Sequence, residues 1–350
     1  MMEKAKQRDS SFELLRLMLM FLIVFHHAIT HGLGLDSFAS WSMSSLLIPD
    51  DEMYLYLSLN NLGIFAVNAF VIISGYFGIK STWKKANTLV LCVLFYTILF
   101  STIPHIIYGD YYSAIKSLFV ISHTPYWFIT DYLILMLFAP VFNKAFDVLD
   151  ESTMKTFTAG VLLIAVYLGF FWGNDIDRSG YNFYHFIVLY AIGRSIAKGW
   201  IDRLLPMNSI LLFSGTMIAN MILACLFYKI GQGDLVWKTT YYSNPLLIIS
   251  AFAMVMMFKH LHFRNKAINY LASSALGIYL FQNADYISEV FYGKVARCAC
   301  GGGYKSLIIT IVTSFVMCVT AIVVDKIRIA FFNVLLKGIH LKKEIKIWPK

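Results

Sequence analysis

The chain has 350 residues, 59% of them hydrophobic and only 14% charged, where soluble globular domains run near one half and one quarter. That excess is too large for one soluble core, and it falls in blocks near the roughly 20 residues that cross a bilayer as a helix. The net charge of +9 is scattered over short loops with no aromatic–basic stripe and no zinc-finger spacing, which argues against a nucleic-acid partner.

Ten apolar segments are predicted in chain order: 12–31, 62–79, 86–107, 126–142, 157–172, 183–201, 209–228, 242–258, 267–284 and 307–324. Helices are the natural element, because lipid offers backbone groups no water to bond. The predicted class is therefore all-α, a polytopic membrane protein of about ten transmembrane helices. It is read as one domain over 1–350, with the bundle at 12–325 and a basic tail at 326–350.

The first segment carries Arg16, two adjacent histidines and no small-residue cleavage site, so it reads as a retained helix. Ionisable groups are costly in hydrocarbon and mark function by default. This helix concentrates Glu13, Arg16, His26, His27 and His31. Arg16 and His27 fall within about 20° of one line and roughly 16 Å apart along a straight helix. His31 lies one turn further on the same stripe, and His26 points about 80° away from Arg16. Histidine suits proton or acyl transfer because it titrates near neutrality. Arginine suits a phosphate or carboxylate because its fork stays charged.

The loop that follows, 32–61, has no Lys or Arg but holds Asp36, Asp50, Asp51 and Glu52, with Trp41 and Tyr54–Tyr56 as headgroup or covering residues. In the second segment Asn68 and Ser74 are polar positions, and Gly75 permits close packing or a break. Lys80, Lys84 and Lys85 follow it and are candidates to receive the phosphates of an anionic donor such as a coenzyme A ester. The fourth segment opens on Tyr126 and Trp127, interfacial aromatics by default. Its Asp131 needs a partner, and a first-helix histidine is the expected one. In the ninth, Ser273, Ser274 and Gly277 read as helix-packing residues, and Gln282 and Asn283 as lining for a polar cavity. The tail from Lys326 alternates basic and apolar residues, as an anchor on anionic lipid does.

With both termini inside, the inner segments hold 21 of the 29 Lys and Arg and the outer loops 7, Arg16 lying within the first helix. That bias satisfies the positive-inside rule. Cys92, Cys225 and Cys318 lie in apolar runs and read as small buried hydrophobes; Cys298 and Cys300 read as incidental loop thiols. There is no Ser-His-Asp order, Walker motif or dinucleotide fingerprint, and three histidines on one helix without an acidic neighbour do not make a metal site.

Several stretches, in order across nearly the whole chain, carry a resemblance. They are ELLRLMLMFLIVFHH at 13–27, HG at 31–32, FVIISGYFGIK at 70–80, YWFITDYLILML at 126–137 and SSALGIYLF at 273–281. Together they resemble membrane-bound acyltransferase family 3, especially its bacterial branch that O-acetylates surface polysaccharides. The resemblance implies that Arg16 and His27 are the family's arginine and histidine, eleven positions apart, and that the histidine takes part in acyl transfer. It implies acetyl-CoA or another acyl-CoA as donor, no permanently bound cofactor, a glycan or lipid-linked glycan as acceptor, and a multi-pass place in a bacterial plasma membrane. Anionic lipid at the cytoplasmic face and a second copy of the chain are the other expected partners. Lys80, Lys84 and Lys85 stand where many members have an arginine pair, and Gln282 where many have a histidine. Two other classes fit the buried charges: a secondary transporter or flippase for a lipid-linked glycan or small anion, and a non-catalytic partner in an envelope-assembly complex.

Overall fold

A computed structural model describes residues 9–39, 45–119, 126–172, 178–200 and 208–338. Lys4, Lys6, Arg8, Trp41, Arg203 and the tail after Gly338 lie outside the described residues. Among the described residues, every regular element is helical. The main ones are α1 Ser10–His27, α2 Met53–Phe77, α3 Trp83–Thr97, α4 Trp127–Val148, α5 Glu151–Ala165, α6 Phe183–Ala197, α7 Ser209–Lys229, α8 Pro245–Lys259, α9 Lys266–Ala272, α10 Ala275–Gln282, α11 Asp285–Ala299 and α12 Gly303–Gly338.

Seven helical stretches are long and apolar enough to cross a membrane, where the sequence predicted ten: Ser10–Gly32, Asp50–Phe77, Trp83–Ile107, Trp127–Val148, Glu151–Trp172, Ser209–Lys229 and Gly303–Val334. The other three segments form helices that are too short. α6 and α8 have 15 residues each, about 22 Å at 1.5 Å per residue, against a hydrocarbon core of about 30 Å. Asn182 and Asn244 cap their starts by accepting backbone N–H bonds from His185 and Leu246. Most of their residues are buried, and irregular backbone at membrane depth is tolerated where protein encloses it. The ninth segment breaks at Ser273–Ser274 into α9 and α10, of 7 and 8 residues. Apolar runs report what is hidden from water, not how long a helix lasts.

α12 runs unbroken for 36 residues to Gly338, and Arg328 is buried inside the bundle.

α2 sits at the centre, packed against α1, α6, α7 and α8. Its crossing with α6 is very close: a Cβ on Gly75 would lie 2.3 Å from the Tyr190 carbonyl oxygen, and one on Gly193 2.1 Å from that of Ile72. Gly75 therefore serves close packing, not a break. Leu137, Leu211, Val312 and Phe315 face outward, as lipid-facing residues do.

Contacts gather the elements at two ends. At one, Ser10 N–H donates to the Phe263 carbonyl at 2.9 Å, Phe12 meets Phe77, Asn143 donates to the Ile79 carbonyl, and Lys326 donates to Ser273. At the other, Tyr228 donates to Asp50 and Tyr56 to Ser306. Ser10 and Lys326 thus lie at the same end.

Candidate active site

α1 begins where Asp9 accepts the Ser11 N–H at 3.0 Å, and its stripe Arg16, Met20, Ile23 and His27 lines a cavity of about 360 Å³. α2 adds Val67, Phe70 and Ser74; α4 adds Trp127, Phe128 and Tyr132; Tyr242, Ser273, Tyr279 and Asn283 complete much of the wall. Arg16 Nη1 donates to Glu13 at 2.8 Å, and the guanidinium lies 5.6 Å from the Phe77 ring centre. The Phe77 end is the Ser10 end, so Arg16 holds one end of the cavity and His27 stands three turns along.

The structure brings six expected residues to this wall: Glu13, Arg16, His27, Ser74, Trp127 and Asn283. The Ser74 hydroxyl donates to the Phe70 carbonyl at 3.0 Å and lies 3.4 Å from the Tyr132 hydroxyl. Trp127 stacks on Tyr242 with centroids 5.7 Å apart. Gln282 is fully buried beside His27, close enough to interact without completing a hydrogen bond of normal geometry.

Other expected residues lie elsewhere. His26 turns to α2, 2.6 Å from Asn60 Oδ1 and 3.1 Å from the Thr30 hydroxyl. Asn68 donates to the Tyr242 carbonyl and meets His185 Nε2 at 3.1 Å, behind the wall. Lys80, Lys84 and Lys85 are exposed and off the wall, with Lys85 Nζ donating to the Lys80 carbonyl. Asp131 is near enough to Tyr279 to act on it electrostatically.

The acid found on a first-helix histidine is Asp36, and this corrects the reading that the histidines have no acidic neighbour. His31 Nδ1 lies 3.0 Å from Asp36 Oδ2. After His27 the helix passes into a π turn, Ala28–Gly32, whose wider winding sets His31 nearly over His27; their ring centroids are 5.4 Å apart. Asp36 was readable only as one acid in an acidic loop. Tyr132, Tyr242 and Tyr279 were missed because interfacial tyrosines look alike in sequence.

Among the described residues, no group of three or more His, Cys, Asp or Glu could hold a metal ion. The arrangement offers a cation at one end, an imidazole further in, and a wall of aromatic rings bearing hydroxyls.

Residues 9–326 match the family model of the acyltransferase domain, acyltransferase family 3. The chain therefore belongs to this family of acyltransferases, here as a polytopic membrane protein. Comparison with curated proteins and with solved structures gave no match.

Proposed function

We propose that this acyltransferase transfers an acetyl group from cytoplasmic acetyl-CoA to a hydroxyl of a cell-surface or lipid-linked polysaccharide, at the plasma membrane of a bacterium. The observation that carries this reading is that Arg16 and His27 line one cavity. Their separation of roughly 16 Å along the helix is comparable to the extended pantetheine arm that joins coenzyme A's phosphates to its thioester. On this reading Arg16 holds a phosphate: Glu13 engages one of its nitrogens, and the fork has other N–H groups to give. His27 then stands at the thioester carbonyl, as general base or as transient acyl carrier.

The aromatic wall suits a sugar ring, which presents C–H faces to stack and hydroxyls to bond. On this reading the Arg16 end faces the cytoplasm: it also gathers Lys80, Lys84, Lys85, Arg194, Lys198 and Lys259, in keeping with positive-inside sorting. Those lysines would meet anionic headgroups.

The test is purified protein in detergent with labelled acetyl-CoA and membrane glycan. Label covalently bound to glycan, lost in His27→Ala, is the expected result. Uptake of glycan or anion by reconstituted vesicles, with no label transferred, would overturn it in favour of transport.

A further inference from the structure

We propose that His31 and Asp36 are the general-base pair for the acceptor hydroxyl, so that two histidines divide the reaction: His27 takes the acyl group and His31 activates the alcohol. This rests on the acyl-transfer reading above.

The geometry separates the two rings by role. His27 lines the cavity that holds Arg16, while His31 is not on that wall. The His27 Nδ1 atom is buried and, among the described residues, has no hydrogen-bond partner. A catalytic imidazole that takes a proton is commonly oriented by a carboxylate on its other nitrogen. Here the carboxylate is on His31. An ionised carboxylate only accepts, so His31 Nδ1 donates to Asp36 and Nε2 is left as the basic nitrogen.

The chain is shaped to make this contact. Gly34 takes a φ of 76°, and a Cβ there would lie 2.1 Å from the Ser45 carbonyl oxygen. The turn it permits brings Asp36 back, five residues on, to His31. The Asp36 side chain is 7% exposed and that of His31 37%, so a buried acid backs an imidazole that reaches solvent. Asp36 Oδ1 is buried without a partner among the described residues. An orphan of that kind asks for an explanation beyond packing. Tyr292 of α11 closes another side of the His31 ring, 5.3 Å between centroids.

His27 Nε2 adds to the thioester carbonyl, the C–S bond breaks, and the thiolate leaves with the electron pair and takes a proton from solvent as coenzyme A departs. The acceptor oxygen then adds to the acyl carbon as its proton passes to His31 Nε2. The C–N bond breaks, neutral His27 returns, and His31 gives its proton to solvent at its exposed edge. Asp36 is a positioning residue in this scheme.

Hydroxylamine separates the two roles, because it attacks acyl groups without help from a base. Wild type, His31→Gln, Asp36→Asn and His27→Ala are each assayed in one membrane preparation with labelled acetyl-CoA. Two products are read: acetohydroxamate in excess of a protein-free control, since hydroxylamine also attacks the thioester of acetyl-CoA directly, and label in membrane glycan. His31→Gln should cut glycan labelling by about 10²-fold or more while hydroxamate stays within about threefold of wild type. Asp36→Asn should show the same split, and His27→Ala should lose both products. Hydroxamate formation also reports that each variant is folded. Equal loss of both products in His31→Gln, or no loss of either, overturns the proposal. Neither product from wild type would instead sink the acyl-transfer reading itself.

Discussion

Arg328 and Asp325 form an ion pair inside the bundle, Nη2 to Oδ1 2.6 Å, with side chains 4% and 1% exposed. Arg328 Nε donates to the same oxygen at 2.8 Å, and the Tyr96 hydroxyl does so at 2.9 Å. A Cβ on Gly277 would lie 2.6 Å from the Asp325 carboxyl carbon, so α10 rests against this pair.

Breaking a buried pair leaves an uncompensated charge, at a cost of about 3–5 kcal/mol, whereas removing both partners together is often close to neutral. Arg328→Met should therefore lower the thermal midpoint of the purified protein strongly. The double variant Asp325→Leu, Arg328→Met should be more stable than Arg328→Met alone. Size-exclusion recovery after heating measures both; a double variant no better than the single would count against the two charges compensating each other.

His27 and His26 should fail differently. His27→Ala and His27→Gln are expected to lose turnover with near-normal amounts of protein in the membrane. His26→Ala leaves Thr30 and Asn60 bonded to each other but removes one buried contact from each, about 0.5–1.5 kcal/mol apiece, and should reduce stability more than the rate per folded molecule. Initial rates normalised to folded protein distinguish the two; a His27→Gln enzyme at the wild-type rate would remove His27 from the chemistry.

Arg16 is on the cavity wall and the three lysines are not. Arg16→Lys keeps the charge but loses the fork, and should raise the donor KM about tenfold or more with a smaller fall in kcat. Neutralising Lys80, Lys84 and Lys85 together should raise donor KM less, and only at low ionic strength, because exposed charges are screened. Donor saturation curves at two salt concentrations read this directly.

Gly193→Ala and Gly75→Ala place a methyl against backbone, which cannot rotate away. Each should cost about 1–3 kcal/mol or more by overpacking, seen as reduced membrane-inserted protein, with no specific effect on KM in what survives. Gly215→Ala, where nothing lies within 4 Å of the added carbon, is the matched control.

Cys298 and Cys300 are exposed, whereas Cys92 and Cys318 are buried. α11, which carries Cys298, packs against the π turn holding His31, at the end away from Arg16. Cys225, expected to be buried, is partly exposed, so a membrane-impermeant maleimide should label intact cells strongly and lose most of that label in the Cys298→Ser, Cys300→Ser variant. Labelling only after permeabilisation would invert the orientation.

The seam from Arg16 to His27 was legible because a helix repeats, and eleven residues return nearly to the same line. What repeats can be read; what turns back cannot. Asp36 meets His31 only through a loop that hinges at Gly34, and no periodicity signals that contact. The Asp325–Arg328 pair was hidden differently: half-buried Lys326 lies between them, and the three charges together look like the start of a solvated tail. The count of ten failed at α6, α8 and the Ser273–Ser274 break for a third reason. Hydropathy is blind to whether protein or lipid covers an apolar side chain, and only lipid demands full length.

The length of α12 has a practical consequence. Its 36 residues extend about 54 Å at 1.5 Å per residue, nearly twice the thickness of the hydrocarbon that surrounds it. One end therefore stands clear of any detergent belt as a rigid rod continuous with the core. A helical fusion spliced in register beyond Gly338 would move as one body with the bundle. For imaging a chain of 350 residues with little mass outside the bilayer, that rod is a fiducial mount already in place.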